Sequence, residues 1–423
     1  RGFQKGKGKD GKGWQPWDPE DQQRWEEHWP ASLGWHLESD SSSDEEEGGS
    51  SSSRQGSREP SKGSEQGGGE SLTQAIADAA DELQAACSQR SLGADHFDMG
   101  RTVGTGALGR VRVVELRGRT RRTPFALKSM KKADVVRKRQ QEHVRSEISL
   151  LGRISHPFIV HLYAAFHDDD RLFLLMEFVN GGELFSCLKE EGTLPVRRAR
   201  FYAAELTLAL AYLHSLHVAY RDLKPENVLI DSEGHVKIAD FGFAKTIACP
   251  DRAHSRVGTP EYQAPEIVQA RGHGTAVDWW ALGVLLFEML VGVSPFFDEY
   301  PCLIFRKVLA GHVHFPPSVG ARARDLVRQF LTFEPELRLG NRPAGAEDVM
   351  NHRWFARTPW ARLPVRGARP PHRPGVASAG DASMFDEFSE SDGELLPAVS
   401  AADQRSFEGF RLGPSECRRR AAP

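Results

Sequence analysis

The sequence predicts an α+β protein in which a small antiparallel β-rich part precedes a larger helical part. Three observations predict it. From Phe97 to about residue 131, valines and leucines alternate with polar residues in RVRVVEL and PFALKSM. That is the period of half-buried antiparallel strands. After about residue 180 the apolar spacing becomes helical. No repeat at a fixed period appears, which excludes solenoids and propellers.

Composition narrows the class further. The chain has 423 residues, with 55 Lys+Arg against 58 Asp+Glu and a net charge of −3. It lacks the basic surplus of a bulk nucleic-acid binder, so no nucleic-acid partner is expected. No run approaches the ~18 consecutive apolar residues of a membrane-crossing helix, so no transmembrane segment is expected. The cysteines, Cys87, Cys187, Cys249, Cys302 and Cys417, are scattered and include no C-x-x-C pair. Neither a zinc site nor a disulfide framework is expected, and a cytoplasmic or nuclear setting fits best.

Four segments follow from composition shifts. Residues 1–71 are a leader rich in Trp, Ser, Gly and acids, including the acidic serine run 39–53. They cannot bury enough apolar surface to offset chain entropy and are read as disordered. Trp25 and Trp29, spaced i, i+4, leave a linear docking segment open as the alternative. Residues 72–90 read as one amphipathic helix rich in Ala, Leu and Glu. Residues 97–355 are globular. Residues 356–423 form a tail whose part 362–380 is basic, rich in Pro and Gly, and expected to be extended. It ends in two aromatic islands, MFDEF (384–388) and FEGF (407–410).

Five motifs carry chemistry. VGTGALGRV comprises Val103, Gly104, Thr105, Gly106, Ala107, Leu108, Gly109, Arg110 and Val111. A lone G-x-G-x-x-G fits either a strand-to-helix dinucleotide turn or a hairpin that covers phosphates. The alternation that follows it favours the hairpin. Lys128 ends the next strand pattern. Glu147 sits among apolar positions of the following helix, where an unpaired charge costs several kcal/mol, and Lys128 is its natural partner. YRDLKPEN (220–227) gathers Arg221, Asp222, Lys224 and Asn227; alone, such a cluster is as well a plain turn. Asp240, in ADFGFAK, follows a second strand pattern. Two strand-end acids with an Asn nearby suit magnesium on a triphosphate, because magnesium takes oxygen ligands and keeps part of its shell on phosphate. In GTPEYQAPE, Glu266 approaches the helical core, and Arg338 is its expected partner.

In this order and at this spacing, the set over 97–355 is identified as the protein-kinase signature. YRDLKPEN, DFGFAK, GTPEY, DWWALGV and NHRWF resemble the AGC group of serine/threonine kinases, and most closely the cAMP-dependent kinase catalytic subunits. The resemblance implies a bilobal kinase fold and ATP and Mg2+ as cofactors. The partners it implies are protein substrates and a regulatory subunit or activating kinase. MFDEF resembles the tail segment that packs over the ATP pocket, and FEGF the terminal motif whose two phenylalanines dock on the small lobe.

Residue roles follow from the same resemblance. Val103 to Val111 cover the phosphates, and Lys128, braced by Glu147, holds the α- and β-phosphates. Val103, Val111, Ala126 and Leu229 sandwich the adenine, with Met176 behind it. Glu177 and Val179 offer backbone hydrogen bonds, and Glu183 holds the ribose. Asn227 and Asp240 bind magnesium. Asp222 orients the acceptor hydroxyl and takes its proton, while Lys224 neutralises the phosphoryl group in flight. Ser255 is the activating phosphosite, held by His143, Arg221 and Lys245, and Arg252 precedes it by three residues. Glu183 and Glu226 face basic residues N-terminal to the acceptor.

The chain departs from the family in four places. Arg256 and Gln263 replace apolar residues of the +1 pocket, so a polar or acidic residue is expected there. Arg306 replaces an acid that receives basic residues, which lowers the expected preference for Arg at −2. His254 replaces the aromatic residue that docks a regulatory subunit, which weighs against that form of control. Arg411 and Leu412 extend the chain past FEGF. A kinase-fold scaffold of weak activity and a small-molecule kinase are the alternatives. Lys128, Asp222 and Asp240 argue against the first, and the peptide-holding GTPEYQAPE segment against the second.

Overall fold

The structure is a computed structural model that describes residues 72–86, 92–106, 108–119, 123–247, 251–255, 257–390 and 399–414. The leader 1–71, with its tryptophans and acidic serines, lies outside the described residues. So do residues 87–90 of the expected helix, Ala107 and Arg256.

The described chain opens with helix α1 (Leu72–Ala86). Strands β1 (Phe97–Thr105), β2 (Gly109–Leu116) and β3 (Pro124–Lys131) follow. Helices α2 (Lys132–Arg137) and α3 (Gln141–Leu151) lead to β4 (Leu162–His167) and β5 (Arg171–Glu177). The sheet runs β1-β2-β3-β5-β4, and every neighbouring pair is antiparallel. Both of its faces are covered. On β5, Leu172 and Leu174 belong to a cluster with Val144, Ile148 and Leu151 of α3. Phe173 and Leu175 point the other way, to Phe97, Phe125, Tyr163 and Leu83 of α1. Period-2 side chains with partners on each side explain the unbroken apolar run of β5. Full burial of Leu83 contributes about 1.5–3 kcal/mol to seating α1.

The larger part is helical. It holds α4 (Leu184–Glu191), α5 (Val196–Ser215), short strands β6 (Val218–Ala219), β7 (Val228–Ile230), β8 (Val236–Ile238) and β9 (Lys245–Thr246), then α6 (Pro265–Val268) and α7 (Ala276–Val291). Helices α8 (Pro301–Ala310), α9 (Ala321–Phe330) and α10 (Ala346–Met350) complete it, and α11 (Ala401–Ser406) lies in the tail. Helix α7 is apolar nearly all round because it runs through the core, where Trp279 and Trp280 are buried.

Two buried charges staple this part. Arg338 donates from Nη1 and Nη2 to the two carboxylate oxygens of Glu266 at 2.7 and 2.9 Å. It also donates to the carbonyls of Thr332, Ala276 and Phe333. Every donor face is thereby occupied, which is what lets a guanidinium stay fully buried.

The tail wraps back over both parts. Asn180 donates to the Ser378 carbonyl at 2.9 Å, and Arg366 pairs with Asp231 and Glu233. At the far end Phe407, Phe410 and Leu412 join the core. Leu412 exchanges backbone hydrogen bonds of 2.8 and 2.9 Å with Ala165 on β4. The side chain of Leu412 packs where Gly152 leaves room; a Cβ there would lie 2.5 Å from Leu412 Cδ2.

Candidate active site

The glycine-rich segment is a hairpin. Gly106 N–H donates to the Gly109 carbonyl at 2.8 Å across the β1–β2 turn, and no helix follows. The dinucleotide alternative is thus excluded by the strand that succeeds it. Gly109 must lack a side chain, because a Cβ would come within 1.9 Å of the Ser129 carbonyl oxygen.

Beneath the hairpin lies a cavity of about 180 Å³. Val103, Val111, Ala126 and Leu229 form its apolar walls, with Met176, Glu177, Val179 and Glu183 along one side. Lys128, Glu147, Asn227 and Asp240 line it too, as do Gly104 and Glu226. The remaining described hairpin residues, Thr105, Gly106, Leu108, Gly109 and Arg110, do not line it. Arg110 turns outward to the tail, donating to the Ser389 carbonyl at 2.6 Å.

The cavity's charges are interlocked. Lys128 Nζ lies 2.8 Å from Glu147 Oε1 and 3.2 Å from Asp240 Oδ1. Burial disfavours the ammonium, but Asp240 and Glu147 outweigh it and hold Lys128 above its ordinary pKa. Lys128 in turn holds the Asp240 carboxyl below the usual range, so this group stays ionised. Burial pushes the Glu147 carboxyl up, and Lys128 pulls it back.

The second cluster is the turn before β7. Asp222 Oδ2 accepts from Asn227 Nδ2 at 2.7 Å and pairs with Lys224 Nζ at 3.0 Å. Asp222 Oδ1 is buried and, among the described residues, has no hydrogen-bond partner. A buried carboxylate oxygen left bare is costly. Burial pushes the Asp222 carboxyl up, opposed by Lys224 and Asn227. Lys224 also reaches Thr259 Oγ1 at 3.1 Å, tying this turn to the GTPEYQAPE segment.

Two residues here carry backbone strain. Arg221 and Asp240 have φ of 69° and 52°, the left-handed region that side chains disfavour. Asp278, fully buried on α7, holds the first of these in place. Its Oδ1 accepts from Arg221 N at 2.7 Å, and its Oδ2 accepts from Tyr220 N at 2.9 Å and lies 2.8 Å from His214 Nε2. Sequence reasoning quoted DWWALGV without giving Asp278 a role. An acid within an apolar helix was the available signal, the same one that singled out Glu147.

The tail segment MFDEF reaches the pocket as the resemblance implied, through Phe385. This residue packs on Phe178 with ring centroids 6.0 Å apart. Glu390 secures the same tail segment to the hairpin. It accepts from Thr102 N and Thr102 Oγ1 at 2.7 and 2.9 Å and pairs with Arg112 at 3.2 Å. The contacts of Glu390 with Thr102 and Arg112 span some 280 positions and leave no local pattern to read.

The expected phosphosite is assembled only in part. Arg221 Nη1 donates to Ser255 Oγ at 2.9 Å. Lys245 borders a hollow with Arg252 and His254 on the same side of the chain. His143 is not brought to Ser255; its Nδ1 lies 2.7 Å from Oε1 of Gln140, the residue that precedes α3. Gln263, expected to select the +1 residue, donates its amide to the Val257 and Gly258 carbonyls at 3.1 and 3.0 Å. Its donor is therefore committed within the loop and is not offered to an acidic residue. Burial, then Glu226 and Asp386, push the Glu183 carboxyl up to about 7, opposed by Lys224.

The residues present fit a nucleotide with magnesium. Asn227 uses its nitrogen on Asp222, which leaves Oδ1 as its ligand atom, and Asp240 adds an ionised carboxylate. Among the described residues, no group of three or more His, Cys, Asp or Glu forms a metal cage. A magnesium ion would take the rest of its shell from phosphate and water.

Comparison with known proteins agrees with this architecture. The protein kinase domain family model matches residues 97–355. The human cAMP-dependent protein kinase catalytic subunit PRKX is 46% identical over 314 residues, 74% of this chain and 87% of that protein. Its mouse counterpart is 45% identical over 339 residues, 80% of this chain and 94% of that protein. The serine/threonine-protein kinase gad8 of Schizosaccharomyces pombe is 44% identical over 315 residues, 74% of this chain and 54% of that protein. Protein kinases in general use ATP and Mg2+. With the cavity, the interlocked charges and these similarities together, the chain belongs to the protein kinase family and is a serine/threonine kinase of the AGC group.

Proposed function

We propose that the chain transfers the γ-phosphoryl group of ATP to Ser or Thr hydroxyls that follow basic residues in protein substrates. The observation that carries this reading is the asymmetry of Asp222. One oxygen is fixed by Asn227 and Lys224, and the other is buried and, among the described residues, without a partner. An incoming hydroxyl supplies the missing donor, and the carboxylate then orients it and takes its proton.

The other roles rest on positions in the cavity. Val103, Val111, Ala126, Leu229 and Met176 enclose the base, Glu177 and Val179 offer it backbone groups, and Glu183 holds the ribose. Lys128 holds phosphate oxygens, and Glu147 and Asp240 hold Lys128. Asn227 and Asp240 would hold magnesium, which when bound neutralises phosphate charge. Because the transition state is loose, orientation and fixed charge carry most of the rate enhancement. Glu183 and Glu226 form an acidic mouth suited to basic residues ahead of the acceptor. Phosphorylation of Ser255, which already meets Arg221, activates the enzyme by adding about −1.5 to −2 charges beside that cation.

The test is ATP turnover on basic Ser peptides by the wild type and by Asp222→Ala. Turnover that survives the substitution contradicts the assignment.

A further inference from the structure

The loop carrying Ser255 folds back on the segment that precedes α7. Ala253 and His273 exchange backbone hydrogen bonds of 2.9 and 2.8 Å. This two-residue ladder pairs His273, which is 2% exposed, with Ala253, two residues before Ser255. Arg221 Nη1 is common to both residues: it lies 2.9 Å from Ser255 Oγ and 3.5 Å from His273 Nε2. An imidazole nitrogen thus stands against the guanidinium nitrogen that holds the hydroxyl.

The charges around this ring are unbalanced. Arg221, Lys245 and His254 face it, and Asp278 opposes them, already committed to the Arg221 and Tyr220 amides and to His214. Burial, then Arg221, push the His273 pKa down to about 4, so the ring is neutral while Ser255 is a plain hydroxyl. A neutral imidazole buried among cations is a site prepared for an anion that is not yet there. His143, which the family pattern assigns to the phosphate, is engaged with Gln140, the residue that precedes α3.

We propose that His273 is a ligand of the phosphate on Ser255 and takes up a proton from solvent when that phosphate is present. The inference rests on the reading of Ser255 as a phosphosite. In the modification the Ser255 Oγ–P bond forms, the bond from Pγ of ATP to the bridging oxygen breaks, ADP departs with that oxygen, and the hydroxyl proton passes to solvent. The dianion then offsets Arg221 and Lys245, and the cost of charging the buried ring falls. His273 and Arg221 grip the phosphate through the Ala253–His273 ladder and through the Asp278 bond to Arg221. Phosphorylation is thereby coupled to the turn that carries Asp222.

The test uses the full chain with phosphoserine placed at position 255 by genetic code expansion, beside the unmodified chain. Ring-nitrogen chemical shifts of His273 are followed against pH. The expected result is a titration moved upward by about two pH units or more in the phosphoserine form. The thermal stabilisation brought by phosphoserine should also shrink in His273→Phe and persist in His143→Ala. Should His273→Phe not fold, His273→Gln replaces it in the same comparison. Titration at the same pH in both forms, or an equal stabilisation in the wild-type and His273 variants, overturns the inference. Whether Ser255 is phosphorylated in active enzyme is a separate question, answered by mass spectrometry of the native chain. A bare Ser255 there sinks the activation reading and leaves the result on His273 standing.

Discussion

Asn227 Nδ2 donates to Asp222 Oδ2 at 2.7 Å, and this bond leaves Oδ1 as the carboxylate oxygen without a hydrogen-bond partner among the described residues. With Lys224 on the same oxygen at 3.0 Å, Oδ1 alone is bare. In the proposed reaction this one side chain fixes the carboxylate that faces the acceptor, and its own oxygen would hold a metal. Asn227→Ala should lower kcat through misplacement of Asp222 and should also raise the magnesium concentration needed for half-maximal rate. A loss of kcat with no change in magnesium dependence contradicts the double role.

The buried pair of Lys128 and Glu147 can be tested from the acid. Glu147→Gln keeps the shape and removes the charge that faces Lys128. Lys128 then leans further toward Asp240, and kcat/KM for ATP should fall by about 10- to 100-fold, the 1.4–2.7 kcal/mol range of a lost charge-assisted contact. Steady-state kinetics with varied ATP measure it, and an unchanged kcat/KM refutes the bracing role.

The acidic mouth should be sensitive to pH. The Glu183 carboxyl is raised from its ordinary value of 4.5 to about 7 by burial and by Glu226 and Asp386. Between those two values the folded chain holds a proton that the unfolded chain has lost. The stability this group contributes is therefore fully present below pH 4.5 and is lost as pH rises through about 7. Recognition runs the opposite way, since only the ionised form attracts a basic peptide. KM for such a peptide should rise as pH falls from about 8 to 6, and Glu183→Gln should flatten that profile. An equally steep profile in the variant would assign the titration elsewhere.

The Glu266–Arg338 pair makes a stability prediction. Glu266→Ala leaves a buried guanidinium without its carboxylate and should cost about 3–5 kcal/mol in denaturant unfolding. The double variant Glu266→Leu/Arg338→Met should lose less than either single alanine substitution. A double variant at least as unstable as the sum of the two singles would contradict the account of an uncompensated buried charge.

How much of this was legible in the sequence depends on the range of each contact. The hairpin followed from local alternation after Gly109, and the register of Val111 with Lys128 follows from it. Glu147 and Glu266 announced themselves as acids in apolar settings, and each meets the expected cation. Asp278 carried the same signal, but its role needs the backbone of a turn 57 residues earlier. Phe385 reaches the pocket as the resemblance of MFDEF implied, whereas Glu390 could be placed only by following the tail across the whole molecule. The engagement of His143 with Gln140, and of Gln263 with Val257 and Gly258, depends on side-chain rotamers that spacing does not encode. His273 lies in none of the motifs read from the sequence, and its contact with Arg221 needs the fold.

The central claim is that Asp222 presents one bare carboxylate oxygen to a substrate alcohol. The most direct measurement is transfer of labelled γ-phosphate from ATP to a basic Ser peptide, comparing the wild type with Asp222→Ala at saturating ATP and magnesium. The account predicts phosphoserine in the wild-type product and a loss of about 10²–10⁴-fold in kcat for the variant, the range of a removed general base. Equal rates in the two proteins would contradict it.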